Sequence, residues 1–401
     1  MRIKSRILTL LIVLLSITQI AAMPSPGWAW SVEGHQIVAA FASKLLPAPW
    51  RQFFAYYGWL LNETTAYPDT YYRGTDPNEG PRHFVDLEVW NSNSPWTGTL
   101  PQSIREFAEK MQSAMQQKDW NSMFLYAGRV AHYLADATQP YHTTINYNPN
   151  TRNGVGLHAV LDASLAAHVS EFRIVNSAEV PLSPIGNLTS YALSIAIQSH
   201  TFLPIINRTL IDEGLDWSPE LTRIIENRTN TAIIAVARVW YTAILSAHIE
   251  APILPSVNQL SIGIESINLT SKSSVVRFHV TDALGVRTYA DVKMVLNNST
   301  IHAFVANVFP PVGEYIIVLG PGTAVANFRL SATRSGYNAT TLAVNIPQST
   351  STQISSVSTY SSTTVESTKL STPTITTTIA LVVMAIALVA LILVRRGSRD
   401  S

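Results

Sequence analysis

Two pairs of side chains in this sequence repeat one spacing. His132 and Asp136 lie four apart in "RVAHYLADATQPYH", and His158 and Asp162 lie four apart in "GLHAVLD". Residues four apart share a helix face, so each pair presents an imidazole beside a carboxylate. Pro140 ends the first helix and places His142 just beyond it. Upstream, Asp69 stands in "YPDTYY", His83 in "RHFVDLE" and His35 in "WSVEGHQIVAAFA". Imidazole and carboxylate are the ligands zinc takes when no thiolate is on offer, and the chain has no cysteine. A lone histidine is more often an ordinary core or cap residue. Two such pairs with a further histidine at a turn favour a metal cage built on inward helix faces.

The elements that must position these groups are helical. From Trp30 to about Ile249, apolar residues recur at three- and four-residue spacing in "GHQIVAAFASKLL", "SIREFAEKMQSAMQQ", "SMFLYAGRVAHYLADA", "SYALSIAIQSH" and "NTAIIAVARVWYTAILSAHI". "APILPSVN" breaks the pattern. Short β-branched runs follow, among them "SVVRFHVTD", "ADVKMVL", "EYIIVLG" and "TTLAVNI", and they predict a small immunoglobulin-like β-sandwich. The Ser/Thr tract after it cannot bury a core and reads as a solvated stalk.

The ends of the chain carry topology signals. Arg2, Lys4 and Arg6 precede "ILTLLIVLLSITQIAA", the layout of a secretory signal peptide. Ala29, with Gly27 two positions before it, suits cleavage that leaves Trp30 first; cleavage after Ala22 is the rival. Near the other end, "ITTTIALVVMAIALVALILV" is long enough to cross a bilayer, and Arg395, Arg396 and Arg399 would stay on the cytoplasmic side. The expected order is a signal peptide (1–29), an all-α metal domain (30–252), a β-sandwich (256–347), a stalk (348–374), a transmembrane helix (375–394) and a cytoplasmic tail (395–401). The enzyme domain is then outside the cell on a single-pass anchor. Eight Asn-x-Ser/Thr sequons, from Asn62 to Asn338, fit an exported glycoprotein. The 401 residues carry a net charge of +1 and are 47% hydrophobic. Residues 30–250 nevertheless hold 14 Lys/Arg against 20 Asp/Glu, a net of −6, which argues against gripping a long duplex through a basic face.

"WSVEGHQIVAAFA", "YPD…RHFVD", "HYLADATQPYH" and "GLHAVLD", in this order, resemble the superfamily of zinc-dependent phospholipases C and single-strand-specific nucleases of fungal and plant type. The resemblance covers about Trp30 to Asp162, with compatible helices to about Ile249; it leaves out the β region, stalk and anchor. It implies an all-helical, exported phosphodiesterase holding three zinc ions. Asp69, His83, His132 and Asp136 would hold one ion, and His142, His158 and Asp162 a second. The third would take the α-amine and carbonyl oxygen of a mature N-terminal Trp30, with His35 and the shared Asp136. Zinc-activated water would attack phosphorus in line, with Asp69 orienting it as a catalytic second duty. Arg73 is a candidate phosphate contact.

Substrate class divides on smaller features. "WSVEGH", the Asp at 162 and the "HFVD" segment resemble the nucleases, in which an aromatic stacks on a base and an Asp hydrogen-bonds it; here these are Phe84 and Asp86. The short His142–His158 loop, without a Gly-Gly-Asn signature, and "HYLADATQPYH" itself are closer to the phospholipases. The expectation leans to cleavage of single-stranded nucleic acid or nucleotides, with phospholipid as the alternative. A non-catalytic, zinc-stabilised surface binding protein is the reading from a different class. No protein partner is inferred.

Overall fold

The computed structural model describes residues 30–346, apart from 151–153, 155, 178, 213–217, 270–273, 297–298, 303, 306–311 and 320–326. The signal peptide, stalk, transmembrane helix and tail expected from the sequence lie outside the described residues.

The helical unit opens with α1 (Val32–Leu45), capped by Ser31, whose hydroxyl accepts from the Gly34 amide. Pro47 stops it, because the residue before a proline is pushed out of the helical region and Leu46 is extended. Next come α2 (Trp50–Tyr56) and α3 (Gly58–Tyr67). α3 runs into a π-turn over Pro68–Tyr72. After α4 (Leu100–Gln116), Asp119 caps α5 (Trp120–Thr138) by accepting from the Ser122 amide. Gln139, before Pro140, is again extended and ends α5 as the sequence predicts. α6 (Leu157–His168), α7 (Leu188–His200), α8 (Leu203–Asn207) and α9 (Pro219–Ala247) complete the unit.

Two of these helices make the centre. Every residue of α5 from Ala127 to Thr138 is buried, and a helix covered on all sides belongs in the middle of a bundle. α9 is long and apolar enough to cross a membrane by length and composition. Its buried set, including Ile225, Ala232, Val236 and the wholly enclosed Trp240, instead packs into the same core as α5, and the Trp240 indole donates to the Ala127 carbonyl. At about 1.5–3 kcal/mol for each large apolar side chain removed from water, this core can offset several enclosed polar groups.

The helical unit runs to Ser256 and also takes in Thr281–Tyr289 and Val305–Ile316. Asp282 there accepts the Tyr57 hydroxyl at 2.7 Å, and Asn121 exchanges hydrogen bonds with Gly285 and Arg287.

The strands are β1 (Ser261–Leu269), β2 (Ser274–Thr281), β3 (Asp291–Leu296), β4 (Ser299–His302), β5 (Phe304–Val305), β6 (Glu314–Leu319), β7 (Asn327–Thr333) and β8 (Thr340–Asn345). They form two four-stranded sheets, β1-β2-β6-β5 and β4-β3-β7-β8. That is the strand order of an immunoglobulin-type sandwich with one extra strand beside β3. The second sheet is antiparallel, with Met294 opposite Leu330 and Phe328 opposite Val344. Those four side chains are buried, as the two-residue period of a strand with one covered face requires.

Candidate metal centre

Each expected ligand arrives on an element whose local sequence explains its place. His132 and Asp136 face inward from α5. Gly128, one turn before His132, lets α5 close on α3: a Cβ there would stand 2.5 Å from the Thr64 backbone and 2.7 Å from the Thr65 nitrogen. The close approach brings the Thr65 carbonyl to His132 Nδ1 at 2.9 Å, which turns Nε2 into the site. Asp69 lies in the π-turn that extends α3, a kind of insertion frequent at functional sites. His83 ends a short 3-10 turn, Gly80–His83. His142 follows α5 in a second 3-10 turn, Pro140–Thr143, and His158 and Asp162 sit on α6.

The side chains converge on three buried groups. His35, His132 and Asp136 make one; Asp69, His83 and His132 the second; His142, His158 and Asp162 the third. Asp136 joins the first two, with Oδ1 3.4 Å from His35 Nε2 and Oδ2 3.0 Å from His83 Nδ1. The third is tied to its neighbour through His142 Nδ1, which donates to the His83 carbonyl at 2.5 Å. His142 Nε2 and His158 Nε2 lie 2.9 Å apart, and the Tyr147 carbonyl holds His158 Nδ1 at 3.0 Å.

Enclosure sets the electrostatics and outweighs the nearby guanidinium of Arg73. Burial pushes the Asp69 carboxyl up to about 7 despite its bond to Arg73, and holds Asp136 and Asp162 well above the usual carboxylate range. Burial also drives His83, His132 and His142 well below the ordinary imidazole value and His158 to about 4. Neutral imidazoles with a lone pair turned inward are in the form that binds a metal. Asp69 Oδ2, Asp136 Oδ1 and Asp162 Oδ2 are enclosed and accept no hydrogen bond from any described residue. Such groups cost about 1–3 kcal/mol or more each, and a cation is the partner this donor set suits.

Trp30 is fully enclosed beside these groups. Its indole donates to the Ala135 carbonyl at 3.0 Å, and the Ser31 amide donates to the Asp162 carbonyl at 3.1 Å. Gly34 makes the space, since a Cβ there would come within 3.0 Å of the Trp30 Cβ.

The three expected substrate contacts are placed differently. Arg73 pairs with Asp69 at 3.1 Å and keeps a quarter of its side chain exposed. Phe84 is half-buried next to His83, and Asp86 is half-buried with its carboxyl raised by burial and then by Glu88. Sequence reasoning missed Gln139. Its side chain donates to Asp162 Oδ1 at 2.6 Å while accepting from the Tyr141 amide, so the residue that ends α5 also fixes a ligand on α6.

Solved structures similar to this chain include two clostridial alpha-toxins. The alpha-toxin of an avian strain of Clostridium perfringens matches with a TM-score of 0.41 and 15% identity, covering 83% of this chain and 99% of that one. The alpha-toxin of Clostridium absonum gives 0.43 and 13%, covering 85% and 100%. No known family profile matches the sequence, and no curated protein does.

Proposed function

We propose that this chain is a zinc-dependent phosphodiester hydrolase of the phospholipase C and single-strand nuclease superfamily, acting on phospholipid outside the cell. The observation that carries the hydrolase reading is the trio of buried His/Asp groups, the first two joined through Asp136 and the third tied on through His142. Complete ligand sets also weigh against a binding protein that keeps metal only for stability. Zinc held by these residues supplies Lewis-acid activation of water and stabilises the leaving alkoxide. The chain's own part is positioning. Arg73 donates to Asp69 Oδ1, which fixes the carboxylate with Oδ2 turned towards His132 Nε2 and lets the same side chain orient the attacking water. The partly exposed Arg73 guanidinium is placed to meet a phosphate oxygen.

The substrate class rests on the surface beside the site. Two segments run outward together from His83 and His142: the Val85 amide donates to the His142 carbonyl and the Leu87 amide to the Thr143 carbonyl. Glu88 then accepts from the Thr144 hydroxyl and the Ile145 amide. Beyond that tie they expose Val89 (51%), Ile145 (59%) and Tyr147 (62%), with Trp96 (87%) on the adjoining turn. Tyr147 and Trp96 could stack on bases, but Val89 and Ile145 have no π-face to offer. Exposed aliphatic side chains grouped with Trp and Tyr suit the acyl–headgroup boundary. The preference for nucleic acid drawn from the sequence is therefore set aside for its alternative, phospholipid. Export through cleavage before Trp30 and anchoring by residues 375–394 belong to the same proposal, since both would hold the site at a membrane surface.

Assay of the zinc-loaded protein on phosphatidylcholine vesicles and on single-stranded DNA tests this reading. Release of a phosphorylated headgroup is expected, with three zinc ions per chain by metal analysis. Ile145→Ser should lower the ratio of vesicle to soluble short-chain turnover by about tenfold, from about 1.5 kcal/mol or more of lost apolar burial. Cleavage of DNA alone would restore the nuclease reading, and a protein that binds no zinc would remove the hydrolase reading altogether.

A further inference from the structure

The geometry points to Glu79 as a positioning residue that orients and strengthens His83 as a metal ligand; this rests on the metal reading above. The other three ligand histidines with a defined Nδ1 partner share one arrangement. In His132, His142 and His158 a backbone carbonyl takes Nδ1, and Nε2 is turned into the site. His83 is reversed. Its Nδ1 faces Asp136 at 3.0 Å, His132 Nε2 at 3.3 Å and Asp69 at 3.7 Å. Its Nε2 points away from them, to Glu79 Oε1 at 3.4 Å.

Glu79 is wholly enclosed and built into a frame. Arg129 Nη2 donates to its Oε2 at 2.5 Å, and the Tyr133 hydroxyl donates to its Oε1. The Arg129 guanidinium lies 3.9 Å from the Phe107 ring centre and 4.2 Å from that of Tyr72, so the cation is fixed as well. Arg129 and Tyr133 belong to α5, one turn or less from His132. The helix that carries two ligands thus also holds the carboxylate behind a third.

A carboxylate behind a metal-bound imidazole fixes its tautomer and raises its basicity, and loss of such a partner costs about 10–100-fold in metal affinity. A cation drawing on Nδ1 would make the Nε2 proton more acidic and so strengthen its pull on Glu79 Oε1, now 3.4 Å away.

Zinc affinity of the full-length protein, measured by competition with a chromogenic chelator, tests the assignment. Glu79→Gln should weaken one of the three ions about 10–100-fold and leave the other two. The single variant also strands Arg129 in the core, so the deciding protein is Glu79→Gln combined with Arg129→Met. Removing both halves of a buried ion pair is often neutral or stabilising, so the double variant should recover the wild-type thermal midpoint without metal and still bind that ion weakly. Wild-type affinity in the double variant would mean that Glu79 only balances Arg129, and would overturn the inference. A wild-type protein that takes up no zinc would instead refute the metal reading itself.

Discussion

Asp136→Asn is expected to reduce the three zinc ions of the proposed centre to one and to lower turnover by at least about a thousandfold. Both oxygens of Asp136 are committed: Oδ1 faces His35, and Oδ2 faces His83 and His132 at 3.0 and 3.6 Å. The residue is completely enclosed, so no water can replace the missing charge. An amide keeps the shape of the side chain but presents one neutral oxygen and an NH2 group. The His142, His158 and Asp162 group contains none of the altered atoms and should keep its ion. A loss of about 4 kcal/mol in transition-state stabilisation corresponds to about 10³ in rate, and loss of two Lewis acids is an effect of at least that size.

The same substitution should act in the opposite direction on the metal-free protein. Burial holds the Asp136 carboxyl well above its ordinary value, with Asp69 adding repulsion. Folding therefore works against its ionised form at neutral pH. A neutral isostere removes that penalty, so the thermal midpoint without metal should not fall. Metal analysis, turnover and melting with chelator present check the three outcomes together. Retention of three ions, or of full turnover, would refute the shared role.

How much of this was legible in the sequence follows from where each constraint is local. The pairs His132/Asp136 and His158/Asp162 lie within single helices, where spacing four fixes a common face before any tertiary contact forms. Pro140 and Pro47 mark helix ends because the effect of a proline on its predecessor is local too. Other features depend on partners distant in sequence. The approach that Gly128 permits is defined by Thr64 and Thr65 on another helix, so the glycine looks like a weak point in α5 when read alone. Pro68 suggests that α3 stops, yet the chain continues as a π-turn, since proline is tolerated where its missing N–H would have no helical partner. Gln139 carries no spacing signal because it acts through a ligand 23 residues away on another helix; Glu79 does stand four residues before His83, but its role depends on Arg129 and Tyr133, some 50 residues later. Packing of Thr281–Tyr289 with the helices depends on Tyr57 and Asn121, more than 160 residues earlier.

The second large effect concerns the bond between Ala29 and Trp30. A protein that begins at Trp30 should bind three zinc ions, whereas one carrying a single extra glycine before Trp30 should bind two and turn over about 10²–10³ times more slowly, an effect of about 3–4 kcal/mol. The side chain anchors this residue whether or not its amine is free: the indole bonds to Ala135 and the ring is fully enclosed. Its backbone is held between two candidate ligands, because the indole is bonded next to Asp136 in α5 and the following amide is bonded to the Asp162 carbonyl in α6. A free α-amine there has a reference pKa near 8, so giving up its proton at pH 7 costs only about 1.4 kcal/mol. An amide nitrogen in the same place has its lone pair delocalised and is not a ligand at neutral pH. The added glycine supplies a new amine, but one residue further along and no longer paired with the Trp30 carbonyl. Removal of the signal peptide would then complete the site, and the precursor would stay inactive until export. Mass spectrometry of the exported chain decides where the cut falls. A mature protein starting at Met23 with three ions and full turnover, or a glycine-extended protein with both, would show that His35 and Asp136 hold their ion without the amine.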